Sequence, residues 1–194
     1  MTKNVSFIIV GSLIFALGGC DPKPAARPRA QPVAPTAVPA AIAHLVVQVD
    51  AQKLQGVASA WRWLLPTDTP ILATKCGDLF LQRDNGWIMF LNVGLGESEI
   101  VANSHKSFVA KLNDQDFVGF RFLPLLVEDL EASGLKAGPG QCYSFKRPPI
   151  LGGVYEISNF EVTDIDVHFS LLGQIHEQVK DLPDGASVGE IKIK

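Results

Sequence analysis

The sequence lacks an uninterrupted apolar run long enough to cross a lipid bilayer. Its best candidate, Val5–Leu17, has thirteen residues without a charge, and as a helix it would reach only roughly 20 Å. The hydrocarbon core of a bilayer is about 30 Å thick and takes about 20 apolar residues. A transmembrane helix is therefore the weaker prediction. A short cleavable export signal that begins with the positive charge of Lys3 is the stronger one.

The end of this apolar segment carries a more specific pattern. Leu17-Gly18-Gly19-Cys20 resembles the bacterial lipobox, in which the cysteine thiol is joined to diacylglycerol and the chain is cut before it. The resemblance predicts a lipoprotein signal peptide over residues 1–19 and a mature protein that starts at lipidated Cys20. The alternative is an ordinary secretory signal in which Cys20 is accidental. Asp21 resembles the sorting signal that retains lipoproteins in the inner membrane, so we expect anchoring there, facing the periplasm.

Regular secondary structure is excluded from the segment that follows the cysteine. Residues 22–39 are mostly proline and alanine, and proline lacks the amide donor that helices and sheets need. Such a segment favours an extended, semi-rigid polyproline conformation. Residues 20–40 are therefore predicted to be a tether between the lipid and a folded domain over residues 41–194.

The chain also lacks an excess of positive charge. Its formal net charge is −3, and residues 41–194 hold 13 Lys and Arg against 19 Asp and Glu. A nucleic-acid-binding protein usually presents a basic face, so nucleic acid is not an expected partner. A mildly acidic surface is instead consistent with a basic protein partner.

Recognisable nucleotide-binding motifs are missing. The sequence contains no Walker loop and no GxGxxG, and its acidic residues are scattered. His168 and His176 lie eight residues apart, whereas histidine ligands on one helix are usually four apart. We therefore predict no enzyme activity, no catalytic residues, no cofactor and no metal site. The alternative is an envelope metal-binding protein or enzyme that uses His168 and His176.

Cysteine is scarce in the predicted domain. Only Cys76 and Cys142 follow the tether, and no CxxC occurs. Outside the cytoplasm such a pair can form a disulfide, but isolated cysteines are also common as plain buried thiols. Spacing does not decide between these alternatives.

The spacing of apolar residues predicts a single α+β domain with a mostly antiparallel sheet and three to four packed helices. Asp50 and Ser104 are expected to cap helices, and Asn85-Gly86 is a strong hairpin signal. The predicted order begins with a short strand or entry segment over 44–50, a helix over 51–65, and strands over 71–75, 78–82 and 87–92. Helices over 105–112 and 117–133 follow, then a strand over 142–146, strand-prone segments over 154–160 and 161–164, a helix over 166–180, and a closing strand over 188–193.

The carboxyl-terminal third resembles a known family. Gly140–Asn159 (GQCYSFKRPPILGGVYEISN) and Val167–Pro183 (VHFSLLGQIHEQVKDLP) are similar to the C-terminal domain of type VI secretion immunity proteins that neutralise a DNase effector. Trp61–Pro66, Gly77–Leu81 and Trp87–Leu91 fit the same family, so that the resemblance spans nearly the whole domain.

The resemblance implies a non-enzymatic α+β module that binds a protein, either a toxin or an envelope protein, and it assigns no contact residue to any position in this chain. Physical reasoning points to the Pro/Gly-rich loop over residues 146–155, because binding residues are often carried by loops on a rigid scaffold. Lys146, Arg147 and Tyr155 are the candidate partner-binding residues, since aromatic and arginine side chains are common interface anchors. The alternative is that this loop only routes the chain between strands.

Overall fold

The computed structural model describes residues 38–183 and 185–194. The predicted signal peptide, Cys20, Asp21 and most of the tether lie outside the described residues. Within the described ranges, no helix is both long and apolar enough to cross a bilayer.

A four-stranded antiparallel meander forms the centre of the domain. Its strands are β1 (Thr69–Ala73), β2 (Leu79–Gln82), β3 (Ile88–Asn92) and β4 (Glu97–Ala102), in the order β1-β2-β3-β4. The first three were predicted, and the turn at Asn85-Gly86 joins β2 to β3 as expected. The sequence analysis missed β4, because its first four residues are at most partly buried and give no continuous apolar signal.

Side chains alternate between the two faces of this sheet, and both faces are covered. Phe80 pairs with Phe90 across β2 and β3, and both rings belong to one buried cluster together with Phe108 and Phe122. Leu79, on the opposite face, belongs to a second cluster that includes Trp61 and Phe169. Because side chains in a strand alternate with period two, the uninterrupted apolar run of β2 is that of a strand buried on both sides.

A two-stranded antiparallel sheet lies beside the meander. It consists of β5 (Gln141–Phe145) and β6 (Phe160–Asp164). The N–H of Tyr143 donates to the carbonyl oxygen of Lys75 at 2.8 Å, which ties β5 to the chain between β1 and β2. Tyr143 and Phe145 point into the first cluster, whereas Cys142 points into the second.

Five α-helices pack around these sheets within the described residues. They are α1 (Ala51–Gly56), α2 (His105–Lys111), α3 (Gln115–Phe122), α4 (Pro124–Ala132) and α5 (Ile165–Val179). The predicted caps are confirmed, because Asp50 accepts from the N–H of Lys53 at 2.8 Å and Ser104 accepts from the N–H of Ser107 at 3.2 Å. The α+β fold class predicted from the sequence is confirmed.

The structure has more α-helices than the predicted three to four, because the single helix predicted over 117–133 is two helices, α3 and α4. The chain breaks at Leu123, which adopts a left-handed conformation with φ 49° and ψ 55°. Pro124 then begins α4 at a position where its missing N–H costs nothing. The break separates α3 from α4, and it places Leu123 at the mouth of the cavity described below.

Three other segments differ from the predicted strands and helix. Residues 44–50 form no strand, since Ala40–Leu45 is a 3₁₀ helix and only an isolated bridge joins Val46 to Thr74. The helix predicted over 51–65 ends at Gly56, where glycine disfavours continuation, and a 3₁₀ turn follows. Residues 188–193 form no strand, because the Gln178 amide bonds both the N–H and the carbonyl of Lys192 instead.

Candidate functional site

A cavity of about 410 Å³ opens where α3, the start of α4, β3 and the β5–β6 sheet meet. We call it the Asp78 pocket. Its size falls within the roughly 300–1,000 Å³ of typical ligand sites. Its lining combines five aromatic rings with two charged side chains: Cys76, Asp78, Phe90, Asn92, Phe120, Arg121, Leu123, Leu126, Phe145, Tyr155 and Phe160.

Asp78 is held by the tight turn that leads into β2. Its N–H donates to the hydroxyl of Thr74 at 3.0 Å, and its carbonyl oxygen accepts from the N–H of Thr74 at 2.9 Å. Gly77 has a φ of 84°, which favours glycine, and a β-carbon there would collide with the imidazole of His168. This turn therefore fixes the position of the Asp78 carboxyl group.

Asp78 is only 8% exposed, and its carboxyl group has few partners in the protein. Its Oδ1 accepts from the N–H of Val93 at 2.9 Å, and within the described part of the chain no other donor bonds this carboxyl group. Burial raises the pKa of Asp78 to about 7, although the Val93 N–H and the positive charge of Arg121 act in the opposite direction. A carboxyl group with a strongly raised pKa in a cleft is a recognised sign of a functional site.

Arg121 lies at the edge of the Asp78 pocket without forming an ion pair with Asp78. Its Nη1 lies 2.7 Å from Oε1 of Glu99 on β4. Its guanidinium group is 4.7 Å from the centre of the Phe90 ring, a distance at which a cation and an aromatic face attract. Because Arg121 is already bound to Glu99, it only partly offsets the buried charge of Asp78.

Two exposed aromatic side chains form the rim of the pocket. Phe120, on α3, is 79% exposed, and Tyr155, on the loop before β6, is 49% exposed. The Tyr155 ring packs edge-on against Phe145 with centroids 5.0 Å apart. Burial, followed by the nearby Asp78 carboxyl group, raises the pKa of Tyr155 to about 12. Tyr155 therefore stays protonated and can donate a hydrogen bond.

Of the three residues predicted to bind a partner, only Tyr155 reaches the pocket. The ammonium group of Lys146 donates to the carbonyl oxygen of Ser158 at 2.8 Å. Nε of Arg147 donates to the carbonyl oxygen of Leu151 at 2.6 Å. Both basic side chains are exposed and also bond the backbone of their own loop; their part in partner binding stays a prediction.

The loop is closed at a point where only glycine fits. A β-carbon on Gly153 would overlap the carbonyl oxygen of Arg147. We expect Gly153→Ala to lower the free energy of unfolding by about 1–3 kcal/mol, measured by urea denaturation. Gly119→Ala is the matched control, because a β-carbon there meets no atom within 4 Å and alanine favours the α3 helix by about 1 kcal/mol. Equal stabilities of the two variants would contradict this account of the loop.

His168 is a buried structural residue. Its Nε2 donates to the carbonyl oxygen of Gly77 at 2.9 Å, and its Nδ1 lies 2.8 Å from the Ser144 hydroxyl, which must then donate to it. Burial lowers the pKa of His168 to about 4, against the smaller opposite effect of the Gly77 carbonyl. Both ring nitrogens are therefore occupied in the neutral form.

His176 is also bound to backbone and buried. Its Nε2 lies 3.0 Å from the carbonyl oxygen of Val93, and its ring stacks near Trp61 with centroids 5.3 Å apart. Burial lowers the pKa of His176 as well. Among the described residues, no group of three or more histidine, cysteine or acidic side chains is arranged to hold a metal ion. These contacts do not favour the alternative that His168 and His176 form a metal or catalytic site.

Cys76 and Cys142 are free thiols, and both are buried. The structure therefore contains no disulfide between Cys76 and Cys142. Cys76 belongs to the first apolar cluster, where its Sγ approaches the carbonyl oxygen of Phe122, while Cys142 belongs to the second. The two side chains point into different clusters, although strand β5, which holds Cys142, is bonded to the turn that holds Cys76. The second alternative, plain buried thiols, describes them.

The matched family agrees with the resemblance found in the sequence. Residues 102–176 match the family model described as T6SS immunity protein Tdi1, C-terminal. The predicted resemblance to a type VI secretion immunity domain is confirmed over these residues. They include Phe120, Arg121 and Tyr155, whereas Asp78 lies before the matched segment. No curated protein matches the sequence.

The fold is also found in a solved structure. A crystal structure of Atu4351 from Agrobacterium tumefaciens is similar with a TM-score of 0.50 and 18% sequence identity. The similarity covers 67% of this chain and 66% of that chain, so this chain spans just under two thirds of its length. At this identity the comparison shows the fold alone.

Asp78, Phe120 and Arg121 are the residues of the pocket that sequence reasoning missed. Asp78 follows a glycine at the start of an apolar strand, where an acidic residue is usually an exposed turn residue. Its burial depends on α3 and β6, which come much later in the chain. One usable signal was Phe120 beside Arg121 on a short helix, since this combination is typical of interface anchors.

Proposed function

We propose that this protein is a type VI secretion immunity lipoprotein whose α+β domain binds and neutralises a protein toxin without catalysing a reaction. The observation that carries the proposal is the match of residues 102–176 to the immunity family. The exposed aromatic rim of the Asp78 pocket supports it, because aromatic side chains around a pocket are typical anchors of protein interfaces.

The lipobox-like Leu17–Cys20 segment supports a position in the cell envelope, and Asp21 favours the inner membrane facing the periplasm. An exported immunity protein meets a toxin that acts in the envelope or passes through it. We therefore propose that the partner is a type VI effector exposed to the periplasm. The lipid anchor would keep the domain at the surface that the effector must approach.

A survival assay tests the proposed function. A type VI effector from the same bacterium is expressed with an export signal, with and without the full chain. We expect the full chain to restore viable counts by at least about a hundredfold, since neutralisation of a lethal enzyme requires near-complete occupancy. Equal killing in both cultures, with both proteins detected, would contradict the proposal.

Replacement of Cys20 by serine tests the anchor separately. The wild-type protein is expected in the membrane fraction with a mass that corresponds to a lipid-modified chain starting at Cys20. The Cys20→Ser variant should lose the lipid and leave the membrane, because stable anchoring requires more than one acyl chain. An intact Met1 or an unmodified Cys20 in the wild-type protein would overturn lipidation and leave the toxin-binding proposal to the survival assay.

A further inference from the structure

We propose that the Asp78 pocket receives an arginine side chain of the protein partner, with its guanidinium group facing the Asp78 carboxylate. The inference rests on the proposed function in one respect, which is that the partner is a protein. It goes further in naming the site and the chemistry of the group that fills it.

The first argument is the lack of compensation for the carboxylate. Asp78 is more than nine-tenths buried and lines a cavity that opens to solvent, yet only the N–H of Val93 bonds it among the described residues. Arg121 is already held by Glu99. A buried charge without a partner is costly, and a cation that enters the pocket would remove most of this cost.

The second argument is the chemistry of the walls. Phe90, Phe145 and Phe160 line the cavity together with Tyr155 and Phe120 at the rim. Aromatic faces attract cations, and the planar guanidinium group stacks on them better than a compact ammonium group does. Arg121 itself makes such a contact, because its guanidinium carbon lies 4.7 Å from the centre of the Phe90 ring. A carboxylate in an aromatic recess is thus suited to arginine.

The third argument indicates that a protein supplies this group. Phe120 and Tyr155 extend outward from the mouth of the pocket, and Leu125 is 74% exposed on the adjacent helix α4. An apolar rim around a small charged recess is the usual surrounding of an interface anchor, which it shields from water. The acidic excess of residues 41–194, 19 acidic against 13 basic side chains, complements a basic partner surface.

Titration of the full chain, purified in detergent, with three amino-acid amides tests the pocket without the partner. We expect L-arginine amide to shift the backbone amide signals of Val93 and Phe120 saturably in NMR spectra. Norleucine amide, which has an uncharged side chain, should not shift them. Asp78→Asn keeps the shape of the side chain and an acceptor for Val93, and it should weaken arginine amide binding about tenfold.

Three outcomes would overturn the inference. The first is no saturable shift with arginine amide in the wild-type protein. The second is equal binding of arginine amide to Asp78→Asn. The third is binding of L-lysine amide as tight as that of arginine amide, which would remove the guanidinium assignment.

A second measurement uses the effector that the wild-type chain neutralises. Phe120→Ala and Asp78→Asn should each weaken the complex about tenfold or more. Val167→Ala, which is exposed on α5 and is not among the lining residues, should change affinity less than twofold. Unchanged affinity of both pocket variants would contradict the inference while the proposed function stands. Failure of the wild-type chain to bind any effector would reject the proposed function, and the amide titration would then decide on the pocket alone.

Discussion

Replacing Asp78 by asparagine is expected to raise the free energy of unfolding by about 4 kcal/mol at pH 8. In the folded state burial raises the pKa of Asp78 to about 7, whereas in the unfolded chain the pKa is near the ordinary value of about 3.9. At pH 8 the carboxyl group is ionised in both states, and each unit of pKa difference corresponds to about 1.4 kcal/mol. Asparagine avoids this penalty and keeps the bond from Val93.

The pH dependence of this gain has a definite sign. Because the pKa of Asp78 is raised on folding, the folded state holds a proton between pH 4 and pH 7 that the unfolded state has lost. The contribution of Asp78 to stability is therefore complete below pH 4, declines as the pH rises from about 4 to about 7, and no longer changes above that. Asp78→Asn should thus differ little from the wild-type protein at pH 4 and most at pH 8.

Urea denaturation across this pH range measures the effect, with Asp116→Asn as the matched control. Asp116 is exposed on α3, so the same loss of charge there should change stability by less than about 0.5 kcal/mol. A variant Asp78→Asn that is as stable as wild type at pH 8, or less stable, would mean that the buried carboxylate is already compensated within the domain.

Replacing His168 by alanine is expected to lower the free energy of unfolding by about 3 kcal/mol at pH 7. The substitution leaves the carbonyl oxygen of Gly77 and the hydroxyl of Ser144 without their partner. It also opens a cavity beneath the turn that holds Asp78. Loss of a buried hydrogen-bonded ring of this size usually costs about 2–5 kcal/mol.

The pH dependence of the His168 contribution is opposite to that of Asp78. Burial lowers the pKa of His168 to about 4, against about 6.5 in the unfolded chain. Its contribution is complete above pH 6.5 and is lost as the pH falls towards 4. The buried His176, whose pKa is also lowered, acts in the same direction. In the wild-type protein the two histidines and Asp78 oppose one another between pH 4 and pH 7.

The two variants should therefore show different pH slopes. Asp78→Asn removes the effect that opposes the two histidines, so its stability should rise with pH between 4 and 6.5 more steeply than that of the wild-type protein. His168→Ala removes one of the two histidines that oppose Asp78, so its stability should rise less steeply than that of the wild-type protein over this range. Parallel profiles for the wild-type protein and both variants would reject these assignments.

The expected stability cost of Asp78 supports the proposal that the Asp78 pocket binds a partner. A neutral side chain of the same shape would make the free domain more stable, so the charge is better explained by what it does when a partner binds. Polar groups that destabilise a free protein are common at functional sites. An arginine bound at Asp78 would compensate the buried charge, and the removal of this cost would strengthen binding.

Local sequence signals predicted the elements that depend on neighbouring residues. The caps at Asp50 and Ser104, the Asn85-Gly86 turn and the continuous apolar strands β2 and β3 are each fixed by a few adjacent side chains. The split between α3 and α4 was harder to predict, because it depends on Leu123 accepting a left-handed conformation. Packing of Phe122 and Val127 into the same cluster stabilises that break.

The candidate site was largely beyond sequence reasoning because it is assembled from distant segments. Lys146 and Arg147 have the composition of interface residues, but their side chains bond the backbone of their own loop. Asp78 has the appearance of a turn residue, and only the packing of α3, β5 and β6 around it makes it a buried charge. Tyr155 was predicted because an exposed aromatic residue on a rigid loop is informative without knowledge of the fold.

The stoichiometry of neutralisation tests the central claim, protein binding without catalysis, most directly. The full chain in detergent is titrated into a fixed concentration of the effector while the residual toxic activity of the effector is measured. A binding protein predicts a linear loss of activity that ends near one chain per effector molecule and is reversed when the complex is separated. Complete and permanent inactivation by a small fraction of one equivalent would show turnover and contradict the account.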